Sequence, residues 1–238
     1  KNQGLLADIR YTLMKKKIII TGGLGYIGSE LCKIYSGESW NSDITVIDNK
    51  FSSERVSQLR NWNINFIHAD IRDAEKIREC LKNADVVHHL AGITDVARVK
   101  EELDDTKDRE MADVASKGTF TILNETPKNC KIIFPSTHVV FEGIENLKND
   151  IDENHKVSPI FPYSLGKYEN ENQIKNSGKK YVILRLGSVY GFSHDATRMN
   201  IMPNLFSMIS SQNGTIRLHG GGKQLKSLVS VKDVSRSM

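Results

Sequence analysis

The sequence predicts an α/β protein built on a doubly wound parallel sheet. Three observations predict it. Short apolar runs of buried-strand character alternate with helical patterns along the chain. Three glycines, Gly22, Gly25 and Gly28, stand where the first run gives way to the first helix. Unusual polar residues fall at the carboxyl ends of the runs, where ligands bind in such sheets.

Each element follows from its residues. Lys17–Thr21 reads as a strand and Tyr26–Tyr35 as its helix; Ile44–Asp48 is a second strand, with a helix over Ser53–Asn61. Ile64–Ile67 is a third strand, and Asp73 caps a helix running to about Lys82. Asp85–Leu90 is a fourth strand, followed by a long helical region from Lys100 to Glu125 that breaks before Pro127. Lys131–Pro135 is a fifth strand. A polar segment, Glu142–Pro159, precedes a helix over Tyr163–Asn176 and a sixth strand, Tyr181–Leu186. A helix over Pro203–Ser211, two short strands, Thr215–Leu218 and Lys226–Val229, and a helix from Val231 complete the pattern. Gly220–Lys223 reads as a hairpin turn. Strand and helix in alternation require crossovers of one hand and a sheet covered on both faces.

Bulk properties narrow the function. A chain of 238 residues with 39% apolar and 26% charged residues can bury a full core as a globular protein. Its net charge of +4 is scattered rather than striped, which speaks against nucleic acid as a partner. No apolar run is long enough to span a membrane. The three cysteines, Cys32, Cys80 and Cys130, lack metal-ligand spacing, so no metal site is expected and a reduced, cytoplasmic setting is. Residues 1–14 are expected to be an extension outside the fold, residues 15–191 a dinucleotide-binding domain, and residues 192–238 part of a smaller substrate lobe.

Glycine is the costliest residue to order, so three at one bend imply a close approach to the backbone. The bend follows a strand, opens a helix, and is matched by Asp48 at the end of the next strand. That combination is a dinucleotide fingerprint. The pyrophosphate would rest on the helix N-terminus, and Asp48 would accept hydrogen bonds from the adenosine ribose, favouring NAD over NADP. Asp70 and Ile71 end the third strand where an adenine would lie. His88 and His89 end the fourth; neighbours on a strand face opposite ways, so at most one could line the cofactor side. Tyr163 and Lys167 share a helix face. By itself such a pair is an ordinary surface pair, but Ser136 and Thr137 bring hydroxyls to the same rim.

In these residues the chain resembles the extended short-chain dehydrogenase/reductases, and more narrowly the NAD-dependent sugar-nucleotide epimerase/dehydratase family. The resemblance runs from Lys15 to Met238 through T-G-G-L-G-Y-I-G-S (21–29), V-I-D-N (46–49), A-D-I-R-D (69–73), V-V-H-H-L-A-G (86–92), K-G-T (117–119), P-S-T-H-V-V-F (135–141), P-Y-S-L-G-K (162–167), L-R-L-G-S-V-Y-G (184–191), N-I-M-P-N (200–204) and L-V-S-V-K-D-V (228–234). It implies a Rossmann fold with NAD held by Gly22, Gly25, Tyr26, Ile27, Asp48, Asn49, Asp70, Ile71, Leu90, Ala91, Tyr163 and Lys167. It implies Tyr163 as general base, its phenolate favoured by Lys167 and the positive nicotinamide, and Thr137 as the group that binds the sugar hydroxyl and relays its proton. Ser188, Asn200, Ile201 and Lys226 are implied on the nucleotide-sugar side, and a homodimer as the assembly.

Departures from the family pattern refine this. The carboxylates that follow the catalytic Thr in dehydratases and decarboxylases are His138 and Val139 here. Epimerisation of a UDP-sugar at C4 through a transient keto-sugar is therefore the leading expectation. A nucleotide-sugar reductase or dehydrogenase and a non-catalytic NAD-binding protein are the alternatives. Ala115 replaces an Asn common among relatives, Ser188 another, and Lys226 an Arg that grips the diphosphate bidentately. The resemblance also implies a substrate lobe that continues past Met238, so the lobe is expected to be C-terminally incomplete here.

Overall fold

The computed structural model describes residues 15–37, 41–94, 104–145, 150–194 and 198–238. The expected extension over 1–14 and the start of the long helical region at 100–103 lie outside the described residues. β1 (Lys16–Thr21), β2 (Ser42–Asp48), β3 (Asn65–His68), β4 (Val86–His89), β5 (Lys131–Thr137) and β6 (Lys180–Leu186) form one parallel sheet in the order β3-β2-β1-β4-β5-β6. The order reverses between β1 and β4, which opens a crevice at their carboxyl ends. The doubly wound fold expected from the sequence is the fold observed.

Alternation along each strand sorts side chains between two cores. Ile19, Ile47, Val87, Ile132 and Phe134 face one cluster. Ile18, Ile20, Ile44 and Val46 face the other. Helices α1 (Tyr26–Gly37) and α2 (Ser53–Asn61) cover the second cluster with Leu31, Cys32 and Leu59. The first is covered by α3 (Ala74–Leu81), α5 (Thr119–Glu125) and α6 (Pro162–Asn176) through Ile77, Leu81, Ile122 and Ile174. Asp73 caps α3 as expected, accepting from the Lys76 N–H.

The long helical region is not one helix. α4 (Asp105–Asp113) runs into a π turn, Val114–Gly118, before α5 resumes. The extra residue per turn sets Gly118 against Ile71: a Cβ at Gly118 would stand 2.3 Å from Ile71 Cδ1. A small second sheet pairs β7 (Ser188–Tyr190) with β8 (Leu228–Ser230) in parallel, flanked by α7 (Met202–Ser211) and α8 (Val231–Ser237). Two expectations fail here. Thr215–Leu218 is not a strand, because β8 takes β7 as its partner and the segment lies mostly exposed. Gly220–Lys223 is not a hairpin, since no antiparallel pair flanks it; His219–Gly222 is a 3₁₀ turn.

Neither His88 nor His89 lines the crevice, within the expectation that at most one of them would. Both are fully enclosed, one on each face of β4. His88 Nε2 lies 2.8 Å from the Tyr35 hydroxyl. His89 lies between Thr21 and Thr119. Burial drives both toward the neutral ring, His88 down to about 4 and His89 to about 3. The unfolded chain therefore binds more protons below pH ~6.5. This stabilisation is whole above that pH and drains as pH falls toward the folded values. The histidine contribution should be flat from pH 7 to 8.5 and decline below pH 6, by roughly 1.4 kcal/mol per pH unit for each histidine. Urea unfolding at stepped pH checks this; the double substitution His88→Leu with Tyr35→Phe should remove about half of the slope.

Candidate active site

β1 delivers the chain to the glycine bend, where Gly22 takes φ +70 and its N–H bonds the Ile47 carbonyl at 2.8 Å. A Cβ on Gly22 would stand 2.7 Å from Ala91 N. One on Gly28 would stand 2.5 Å from Gly22 O. Gly22 thus lets the Leu90–Ala91 segment pass against the bend, and Gly28 lets α1 start beneath it. The first amides of α1, at Tyr26 and Ile27, have no intrahelical acceptor. No acidic side chain occupies that first turn. An anionic pyrophosphate fits this end of the helix.

Asp48 is locked toward the bend: Oδ2 accepts from the Leu24 N–H at 3.0 Å and Oδ1 from the Lys50 N–H at 2.9 Å. Asn49 and Asp70 meet beside it, Nδ2 to Oδ2 at 3.5 Å. Asp70 is engaged by Arg72 through Nε and Nη2, which holds its carboxyl down at about 2. Ile71 turns its side chain into the core, so only its backbone can face a ligand. These groups fit a dinucleotide whose adenosine end lies over β2 and β3.

Opposite the bend, Ala91, Ile93, Ala115, Tyr163, Lys167 and Asn170 line a crevice. Tyr163 opens α6 one residue after Pro162, a position where Pro is preorganised and loses no needed N–H. Burial raises the Tyr163 phenol above its ordinary range, opposed by the Arg198 cation and by the hydroxyl of Thr137, the last residue of β5. Lys167 donates to the Pro135 carbonyl at 2.8 Å and stands 4.5 Å over the Phe134 ring. Burial lowers it to about 8, helped by Arg198 and opposed by Glu171.

Beneath this pair lies a buried carboxylate. Glu171 accepts from Ser136 Oγ at 2.6 Å, from Arg185 through Nε at 2.9 Å and Nη2 at 2.7 Å, and from Lys175 at 3.1 Å. Burial would raise its carboxyl, but these donors hold it below the usual range. The network ties the end of β5 to α6, and so Thr137 to Tyr163.

The structure brings Tyr163, Lys167, Thr137, Ala91 and the glycine bend to one rim. The substrate-side residues are less concentrated. Ser188 starts β7, its N–H on Ser227 O at 2.8 Å. Ile201 is the N-cap residue of α7, while Asn200 and Lys226 are exposed.

Two residues escaped the motif reading. Asn204 accepts from the Gly191 N–H at 2.9 Å and donates to the Tyr26 hydroxyl at 3.3 Å, while Tyr26 donates to Gly191 O. Tyr26 thereby joins α1 to the smaller lobe by its side chain. Arg198 is the other. Its Nη1 donates to Thr94 Oγ1 at 3.3 Å, and its charge reaches both Tyr163 and Lys167. Asn204 closes the N-I-M-P-N segment, where its partners could not be read, and no local pattern marks Arg198. Removing the Arg198 cation raises the proton affinity of both groups, so Arg198→Gln should move the pH–rate profile to higher pH. A profile that stays in place would show that Arg198 does not tune the pair.

Fold and site define a class: a doubly wound α/β domain whose dinucleotide-type bend faces a Tyr–Lys pair and a strand-end threonine. Residues 18–238 match the model of the NAD dependent epimerase/dehydratase family, and the chain belongs to that family. It is 32% identical over 231 residues to a Methanocaldococcus jannaschii protein named, by inference, UDP-glucose 4-epimerase, covering 92% of this chain and 71% of that one. It is 27% identical to the dTDP-D-glucose 4,6-dehydratase of Dictyostelium discoideum, covering 93% of this chain and 54% of that one. Among solved structures, the UDP-glucuronic acid 4-epimerase of Bacillus cereus in complex with UDP-glucuronic acid and NAD superposes with a TM-score of 0.77 at 25% identity, covering 92% of this chain and 71% of that one. Among the described residues no helix is long and apolar enough to cross a membrane, and no His, Cys, Asp and Glu cluster could hold a metal ion.

Proposed function

We propose that this chain carries the catalytic site of an NAD-dependent nucleotide-sugar epimerase, with C4 of a UDP-sugar as the reacting centre. The observation that carries this reading is that Tyr163 and Lys167 share one crevice at the rim where β5 ends in Thr137, followed by His138 and Val139 where an elimination would need carboxylates. His138 Nδ1 donates to Leu186 O at 2.9 Å, so that nitrogen is committed to the fold. The epimerase-type relatives support the reading.

Bound NAD would supply a hydride acceptor that returns the hydride within the same turnover. It would be held by the α1 amides, Asp48 and Lys167. Thr137 holds the sugar hydroxyl against the Tyr163 oxygen. Tyr163 takes the hydroxyl proton as the sugar carbon becomes a ketone and gives it back when the carbon is reduced on its other face. Lys167 stabilises the phenolate electrostatically. Arg198 adds positive charge from the smaller lobe. A homodimer through α5 and α6 belongs to the same reading. Phe120 and Leu165 are exposed on those helices, and light scattering checks the mass.

The test is a panel of UDP-, dTDP-, GDP- and CDP-sugars incubated with NAD and followed by proton NMR. One UDP-sugar should equilibrate with its C4 epimer, with no net reduced cofactor. A 4-keto-6-deoxy product would make it a dehydratase, and accumulating NADH a dehydrogenase. NAD binding without any turnover would make it a non-catalytic binder.

A further inference from the structure

A chain of buried hydrogen bonds runs from the glycine bend to the Tyr–Lys helix, and its polarity can be deduced. Its links lie far apart in sequence. The Ala91 N–H donates to Thr21 Oγ1 at 3.1 Å. Thr21 Oγ1 lies 3.0 Å from His89 Nδ1. His89 Nε2 lies 3.0 Å from Thr119 Oγ1. With the Asn170 amide in the orientation that satisfies both its ends, Thr119 Oγ1 lies 3.1 Å from its oxygen, and its nitrogen donates to Ala115 O at 2.9 Å and Gly166 O at 3.3 Å. The opposite orientation of the Asn170 amide would set its oxygen against two carbonyls.

The direction follows from counting protons. Ala115 O and Gly166 O can only accept, so the amide nitrogen must face them and the amide oxygen must face Thr119. The single Thr119 hydroxyl proton then goes to Asn170. Thr119 Oγ1 must accept from His89, which places the ring proton on Nε2. A neutral imidazole has one donor and one acceptor, so Nδ1 accepts the Thr21 hydroxyl proton. Thr21 Oγ1 in turn accepts the Ala91 N–H. Each member donates one way and accepts the other, with no buried polar atom left over. One ring nitrogen accepts and the other donates, so a charged or Nδ1–H ring would break the series.

We propose that this one-way chain, centred on the Nε2–H tautomer of His89, sets the spacing between the cofactor bend and the Tyr163–Lys167 helix, and that His89, Thr119 and Asn170 are positioning residues for the reaction. The location carries it. Ala91 and Asn170 both line the crevice that Tyr163 and Lys167 enter, so both ends of the chain reach one site. The π turn is the anchor at the far end: Asn170 binds the carbonyl of Ala115 within it, and a Cβ on Gly166 would stand 3.3 Å from the Ala115 Cβ. Buried, fully satisfied networks of this kind specify a unique arrangement. The buried ring stays neutral, with the Lys167 ammonium adding to that tendency.

The positional role rests on the proposed function, whereas the tautomer does not. Long-range nitrogen–proton NMR on ¹⁵N-histidine protein should show His89 as the Nε2–H form, with no titration between pH 5.5 and 8.5. Thr119→Val should mix the tautomers and weaken NAD binding about fivefold to tenfold, the scale of one lost hydrogen bond. Thr119→Ser should restore both. Asn170→Asp, which keeps the shape but loses the donors, should weaken NAD binding similarly if Thr119→Val does not fold. An Nδ1–H ring, a titrating ring, or a Thr119→Ser variant as impaired as Thr119→Val would overturn the proposal. If the native protein does not bind NAD at all, the proposed function fails, while the tautomer still decides whether the chain exists.

Discussion

Replacing Tyr163 with phenylalanine is expected to cut sugar turnover by about 10²–10⁴-fold, the usual scale of a general acid–base, with NAD affinity and stability close to native. Thr137 at the rim of the sheet acts on the hydroxyl, and the remainder of the ring packs unchanged in the variant. Only a proton-transferring group is removed. The measurements are kcat on the responsive sugar, NAD affinity by calorimetry and the thermal midpoint. Turnover within about threefold of native would remove Tyr163 from the chemistry and the proposed mechanism with it.

The same site explains why the phenol needs help. Burial raises Tyr163 and lowers Lys167, so desolvation opposes the charged form of both. The expectation from sequence was an ammonium holding the neighbouring phenol ionised. Lys167 gives one donor to the Pro135 carbonyl, and Arg198 is a further cation that favours the Tyr163 phenolate. A bound nicotinamide cation would act in the same direction. The free site therefore rests with a protonated phenol, and ionisation is tied to a loaded crevice.

What could be read from the sequence was local. Strand alternation in Lys17–Thr21, the Gly22–Gly28 spacing, the Asp73 cap and the Tyr163–Lys167 step all depend on residues within a turn or two of each other. Physical periodicity encodes such features directly. The π turn at Val114–Gly118 was not legible, because its cause is the fit of Gly118 on Ile71 across the core. The enclosure of both histidines was equally hidden. It depends on Tyr35, Thr21 and Thr119 reaching β4 from separate elements. Thr215–Leu218 shows the converse error: strand-like residues stay irregular when no edge is offered to them. Arg198 lies outside any motif, and Asn204 gains its role only through partners far away in sequence, Tyr26 and Gly191.

Gly22→Ala should be strongly destabilising. The new Cβ would sit 2.7 Å from Ala91 N, 2.8 Å from Ala91 Cα and 3.0 Å from the Leu90 carbonyl carbon, all backbone, at φ +70. The left-handed conformation costs an alanine roughly 1–2 kcal/mol, and overpacking against atoms that cannot rotate away adds about 1–3 kcal/mol. A total of about 2–5 kcal/mol is a large fraction of a domain's stability. Relief can come only by parting the Leu90–Ala91 segment from the bend, which also breaks the Ala91 N–H bond to Thr21. NAD affinity should therefore fall by more than the stability loss alone would cause, by about tenfold or more in whatever fraction remains folded. Gly37→Ala is the matched control: a Cβ there, at the far end of α1, meets nothing within 4 Å, so it should fold and bind as native. Denaturant unfolding and calorimetry on the pair decide the matter. If Gly22→Ala is as stable as Gly37→Ala and binds NAD as well, the bend does not hold the cofactor by the close approach described.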